Sequence, residues 1–262
     1  NRTLDMTGTA MTAIGSGGLV GFMLGLLGGG GSILATPLLL YAVGVTSPHV
    51  AIGTSALAVS LNALANFFGH ALKGHVWWLC AIVFAAVGTV GALAGSSLGK
   101  AMDGQRLLVL FGLLMIIIGT LMLMPRKATA TKPRPVDRRM CMLTALAALV
   151  AGGASGFFGI GGGFLIVPAL IAATGMPMIN AIGSSLLAVS AFGLATAINY
   201  ASSGLIDWPL AAEFIGGGIL GGAIGMTLAA RLSAGKDTLN RIFAVVIFAV
   251  AGYVLWRSTG GA

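Results

Sequence analysis

A glycine-rich stretch that occurs twice, each time inside an apolar run, constrains this chain more than any other feature. Residues 25–37 read GLLGGGGSILATP and residues 156–168 read GFFGIGGGFLIVP, 131 positions apart, with glycines and proline in register. A second block follows at an offset of 130. It reads AIGTSALAVS at 51–60 and AIGSSLLAVS at 181–190, identical at eight of ten positions. Gly74 and Trp78 then match Gly204 and Trp208, and Gly91 and Gly95 match Gly221 and Gly225. Conserved order and spacing make this a tandem repeat: a first unit over 1–125, a basic linker over 126–139 and a second unit over 140–262. Two repeated halves are the layout of many secondary transporters.

The apolar runs between these marks have the length of membrane spans. Crossing the hydrocarbon core takes about 20 apolar residues at about 1.5 Å each. Segments 52–72, 77–98 and 107–124 meet that length or nearly so, and their partners are 182–201, 209–232 and 239–256. Composition agrees. Hydrophobic residues make up 57% and charged residues 8%, against roughly 25% charged in a soluble domain. Seven of the charges lie between Arg126 and Arg139, and the remainder cannot solvate a globular surface. A soluble enzyme, a nucleic-acid-binding domain and a disordered chain are all excluded. The net charge of +8 comes mostly from the six Lys/Arg of the linker, which marks a cytoplasmic loop rather than a nucleic-acid surface. Cys80 and Cys141 form no CxxC or Cys/His pattern, so neither a disulfide framework nor a zinc site is expected. No cofactor is expected. The N-terminal apolar run recurs later in the chain and is not read as a signal peptide.

The segments before these spans differ. Runs 11–27 and 32–43, and again 141–158 and 164–174, are separated by the glycines, and the second of each pair is too short to cross. Each pair reads as a hairpin or broken helix with its break inside the membrane, which is tolerated only against protein or a wet cavity. An odd number of crossings per half gives inverted halves and places 10 Lys/Arg on the linker side against 4. An even number gives parallel halves and 9 against 5. The positive-inside rule favours the inverted arrangement by that small margin. The expected fold is therefore all-α and polytopic, with two tandem repeats, each a glycine-broken hairpin followed by about three full spans.

The breaks carry the expected chemistry. A helix that starts inside the membrane leaves its first N–H groups unpaired at the positive end of its dipole. Glycine allows a ligand to approach them closely. Gly28, Gly29, Gly30, Gly31 and Ser32 in one half, with Gly159, Gly161, Gly162 and Gly163 in the other, are expected to form an anion site near the midplane. The alternative role of these glycines is tight helix crossing. Thr54 and Ser55, with Ser184 and Ser185, add hydroxyls that can donate to a ligand, cap a helix or bond back to their own helix. Asn66 and Asn199 are amides within apolar spans that need a helix or a substrate as partner. No Lys or Arg lies at the centre of a span, which suits weak, reversible binding of a small oxyanion. Glu213 and His70 are candidates for proton coupling or, alternatively, interfacial residues. The half-one residue matching Glu213 is Val83. Asp207 reads as a helix cap, and His49 and His75 as loop residues. Trp77, Trp78, Trp208 and Trp256 fall at span ends as interfacial anchors. Glycines four apart (17, 21, 25; 91, 95, 99; 217, 221, 225) read as helix-packing faces. GLLGGGGS is not a nucleotide loop, since Gly31 stands where the lysine is needed, and no His/Glu or Cys cluster suggests a metalloenzyme.

These residues resemble a known family. GLLGGGGSILATPLLL followed by HVAIGTSALAVS, and GFFGIGGGFLIVPALI followed by NAIGSSLLAVS, are similar to the TauE/SafE family of sulfite exporters and sulfonate permeases, over roughly Ala13 to Trp256. The resemblance implies a multi-pass carrier in the bacterial or archaeal inner membrane. Its cargo would be a small sulfur anion such as sulfite, or an organosulfonate such as sulfoacetate, with export as the main direction. Uptake of sulfonates or thiosulfate, another anion, a channel or a scaffold without cargo are the alternatives. Protons as coupling ion and a homodimer are further expectations, and the partners are the lipid bilayer and the anion. Carried over by position, the two glycine runs with Thr54–Ser55 and Ser184–Ser185 would line the route. Gly29 is matched by Ile160, so the two breaks need not bind equally.

Overall fold

The computed structural model describes residues 2–123, 138–159, 163–232, 248–249 and 251–256. Its long helices are α1 (Arg2–Leu27), α3 (Pro48–Leu72), α4 (Trp78–Ala101), α5 (Gly104–Leu123), α6 (Arg138–Phe158), α8 (Met178–Ala201) and α9 (Trp208–Leu232). After α1 the chain passes through a 3-10 turn (Gly28–Leu34), a single α turn, α2 (Ala35–Pro37), and a π turn (Leu38–Ala42). In the second half the corresponding short helix is α7 (Gly163–Thr174). Residues 251–256 are helical, and most of the expected final span lies outside the described residues, as does the linker over 126–137. No strand occurs among the described residues.

The expected spans start where capping chemistry puts them. Ser47 accepts from the Val50 N–H and Pro48 opens α3, a favoured first helical residue because it lacks the donor that would be orphaned there. The Asp207 carboxylate accepts from the Leu210 N–H at 3.1 Å, so Asp207 is the cap of α9. Asp103 does the same for α5 through the Arg106 N–H. Among the described residues, five helical stretches are long and apolar enough to cross a membrane: Thr9–Ala42, Pro48–Leu72, Trp78–Ala101, Ile179–Ala201 and Trp208–Leu228.

Polar and apolar residues are distributed for lipid. Leu98 is 65% exposed and Leu220 69%, while Ser55, Ser60, Asn62 and Ser185 are fully buried. A water-soluble core would have the opposite pattern. The protein is a multi-pass helical membrane protein. Trp78 and Trp208, both more than half exposed, open α4 and α9 where aromatic belts form.

Helix directions follow from which glycine meets which backbone. A side chain at Gly17, Gly21 or Gly25 would strike the backbone of Phe214, Gly218 or Gly222 in turn, so α1 and α9 run parallel. Gly152 and Gly156 meet Gly88 and Ala92 in the same way, so α4 and α6 also run parallel. Between lipid-solvated helices the apolar effect offers little, and close backbone contact supplies the packing instead. The expected glycine faces are therefore packing faces. α3 and α8 run antiparallel: Gly53 near the start of α3 lies on Tyr200 and Leu205, whereas Gly183 near the start of α8 lies on His70 and His75. Lys73 and the start of α6 share one end of the bundle. Lys100, Asp103, Asp207 and Glu213 share the other.

Candidate functional site

The first break is a reversal. Gly28 has φ +69°, the left-handed region that glycine enters without a Cβ clash. Three residues later Gly31 lies against the backbone of Met23 and Leu24, so the chain has folded back on α1. All of Gly28, Gly29, Gly30, Gly31 and Ser32 are buried. The Ser32 hydroxyl donates to the Gly29 carbonyl at 2.7 Å, within the break itself. In the second half Gly159, with φ +66°, ends the run of α6, and Gly163 starts α7. Gly161 and Gly162, with Ile160, lie outside the described residues. At 12 residues α7 is about 18 Å long, short of a span, and its first N–H groups lie beside the break. It packs against the 3-10 turn of the first half.

Each break meets the hydroxyl block of the other half. Gly28 sits on Ile182 and Ser185, with the Ser185 Oγ 3.1 Å from where a Cβ would be. Gly159 sits on Ile52, and its carbonyl is 3.5 Å from the Ser55 Oγ. Both serines also bond back to their own helices, Ser55 to the Ile52 carbonyl at 3.0 Å and Ser185 to the Ile182 carbonyl at 2.8 Å. Thr36 shares a 2.9 Å hydrogen bond with Ser55. Sequence reading passed over Thr36, because Val167 stands at the matching place and the repeat drew no attention to it.

Thr54 and Ser184 do something different. The Thr54 hydroxyl accepts from the Asp207 N–H and the Ser184 hydroxyl from the Trp77 N–H, each at 3.0 Å. Asp207 and Trp77 are themselves 130 residues apart. Next to each bond a carbonyl rests on a glycine, Leu205 on Gly53 and His75 on Gly183. The loop after α8 thus closes over the start of α3, and the loop after α3 closes over the start of α8. Thr54, Ser55, Ser184 and Ser185 are all fully buried beneath them.

The two expected amides part company. Asn66 is buried, donates to the Asn62 carbonyl at 2.9 Å and lies on Gly25 and Gly222, one turn before the first break. Asn199 stands at the end of α8, where it donates to Ser96 and Ser97 of α4 while Lys100 donates to its carbonyl. It pins α8 to α4. Asn62 was not singled out from sequence, yet its side chain is fully buried with neither amide atom paired. Glu213 lines an open cavity of about 500 Å³ at the end of the bundle that also holds Asp207, Ser47 and Thr9. His70 is buried at the opposite end, with the His75 ring 5.8 Å away. No group of three or more metal-binding side chains occurs among the described residues.

Comparison with known proteins agrees with this architecture. The family model described as sulfite exporter TauE/SafE matches residues 13–254. A probable membrane transporter protein of Xylella fastidiosa strain Temecula1 is 66% identical over 252 residues, covering 95% of each chain. The probable membrane transporter protein YunE of Bacillus subtilis is 25% identical, covering 92% of this chain and 94% of its own. A probable membrane transporter protein of Haemophilus influenzae is 27% identical, covering 90% and 94%. No solved structure matches the chain. With a match over nearly its whole length, the chain belongs to the sulfite exporter TauE/SafE family of membrane transporters.

Proposed function

We propose that this protein is a secondary carrier that exports a small sulfur-containing anion, sulfite or an organosulfonate such as sulfoacetate, by alternating access. One observation carries the reading. Two glycine breaks are buried in the bundle, each facing the buried serine of the other half, with no Lys or Arg within either glycine run. Backbone N–H groups and hydroxyls bind an oxyanion without a full countercharge, so the anion can also leave. The family description supplies the sulfur chemistry.

The two halves, 1–125 and 140–262, act as inverted repeats joined by a cytoplasmic linker. Three things support this: the sequence offset, the antiparallel run of matched helices α3 and α8, and the exchange of matched contacts between halves. The loop carrying Trp77 is the cytoplasmic gate and the loop carrying Asp207 the outer one, because Lys73 and the start of α6, with Arg138 and Arg139, share an end and the positive-inside rule assigns it. Both gates are shut in this conformation, and transport opens them in turn.

Flux in proteoliposomes tests the reading. Saturable uptake of sulfite or sulfoacetate, with counterflow when the vesicles are preloaded, is the expected result. Flux that never saturates indicates a channel. Uptake of thiosulfate or sulfate instead changes the cargo. Folded protein that moves none of these anions defeats the carrier assignment.

A further inference from the structure

The two gates match in backbone but not in titratable groups. Tyr200 and His70 hold corresponding positions 130 residues apart, and both are almost fully buried. Around Tyr200 the loop supplies Ser203 and Leu205, whereas around His70 it supplies Lys73 and His75. Neither ring nitrogen of His70 has a hydrogen-bond partner, and Nδ1 of His75 has none. A buried imidazole left in this state costs free energy unless some other species meets it. His75 is half-buried and Lys73 exposed, so the pair leads from the surface inward.

The inner end of that path is the first break. Asn66, one turn before His70 on α3, lies on Gly25, in the last turn of α1, where carbonyls lack intrahelical partners. Gly28 follows within one turn. A protonated His70 would lie at the negative end of the α1 dipole, beside an anion held at the break. The surrounding groups limit it to that moment. Lys73 and His75 face it with positive or potentially positive charge, while α8 faces it with Gly183, and α9 reaches its neighbour Gly69 with Met226. Among the described residues no carboxylate approaches it, since Asp103, Asp207 and Glu213 stand at the other end.

We propose that His70, reached through His75, is the proton-binding site of the carrier, and that its proton travels with the anion at the break. The proposal rests on the carrier reading above. Anion and proton each favour binding of the other, and the proton leaves when the anion does.

The test uses the full chain in proteoliposomes with a pH-reporting dye inside and sulfoacetate as probe, a fully ionised anion near neutrality. Sulfoacetate affinity should rise about 5- to 150-fold between about pH 8 and about pH 5, the range of a typical coupling, and its entry should carry protons. His70→Gln, and His70→Tyr, which copies the residue tolerated at the matching place, should flatten that rise and stop proton movement while leaving counterflow. His75→Gln should slow proton movement without abolishing it. Proton movement undiminished in both His70 variants, or wild-type sulfoacetate flux without protons, overturns the proposal. Nitrogen NMR of the His70 imidazole in purified protein gives a readout free of transport. If no sulfonate moves, the carrier reading falls, and the titration alone decides: a His70 that gains a proton in this range upholds the site, and one that stays neutral removes it.

Discussion

Replacing Gly183 by alanine should unlock the cytoplasmic gate alone. The new methyl would overlap the His75 carbonyl oxygen and lie 3.0 Å from its carbon, where carbon atoms prefer about 3.5–4.0 Å. The loop must therefore retreat by about 0.5–1 Å. The adjacent bond from the Trp77 N–H to the Ser184 hydroxyl is 3.0 Å long, and that retreat carries it past the usual range of about 2.7–3.2 Å. A hydrogen bond of this kind is worth about 0.5–1.5 kcal/mol net, so the open gate should gain about 2- to 13-fold in population. A cysteine at buried Val76, with Cys80 and Cys141 replaced by serine, reports the opening through its rate of maleimide labelling in right-side-out and inverted vesicles. Gly183→Ala should raise labelling in inverted vesicles by that factor. Gly53→Ala, whose methyl strikes Leu205 on the outer loop, should leave it unchanged. Equal rates in Gly183→Ala and its parent, or equal effects of the two alanines, would refute the assignment of these loops as separate gates.

Three further expectations concern binding and stability. Ser55→Ala and Ser185→Ala should each weaken sulfoacetate binding by about 1.5–3 kcal/mol, the worth of a hydrogen bond to a charged group. Titration calorimetry that finds affinity unchanged in both would place the anion elsewhere. Gly21→Ala drives a methyl into the Gly218 backbone and should cost about 1–3 kcal/mol. Gly15→Ala, with open space around it, should be neutral or stabilise by up to about 1 kcal/mol. Unfolding in mild detergent compares the two, and equal stabilities would contradict the described helix crossing. Asp207→Ala removes the α9 cap and should cost about 1 kcal/mol, with Asp207→Asn recovering most of it. A melting temperature that is the same in all three proteins would show that the cap contributes nothing.

The carboxamides and serines show how far one-dimensional reading reaches. Ser55 and Ser185 were legible because they stand in the repeated block, and the structure puts both at the breaks. Thr54 and Ser184 stand in the same block, but one residue earlier on a helix is about 100° around its axis. That rotation turns them from the breaks to the loops. Asn199 looked equivalent to Asn66 as a polar residue in an apolar span, yet it lies at the far end of α8 and binds α4. His75 read as a loop residue, and its approach to His70 needed the bend at Gly74.

Length, apolarity and scarcity of charge are enough to commit this chain to membrane-crossing helices, because lipid tolerates no unpaired backbone. The glycine runs likewise specify where those helices break, since only glycine enters the left-handed conformation at Gly28 and Gly159 without strain. What sequence spacing does not contain is which half each break serves. Pairing Gly28 with Ser185 and Gly159 with Ser55 arises only when α3 and α8 cross antiparallel. That crossing is a property of packed surfaces between segments more than 100 residues apart, where no local periodicity reaches.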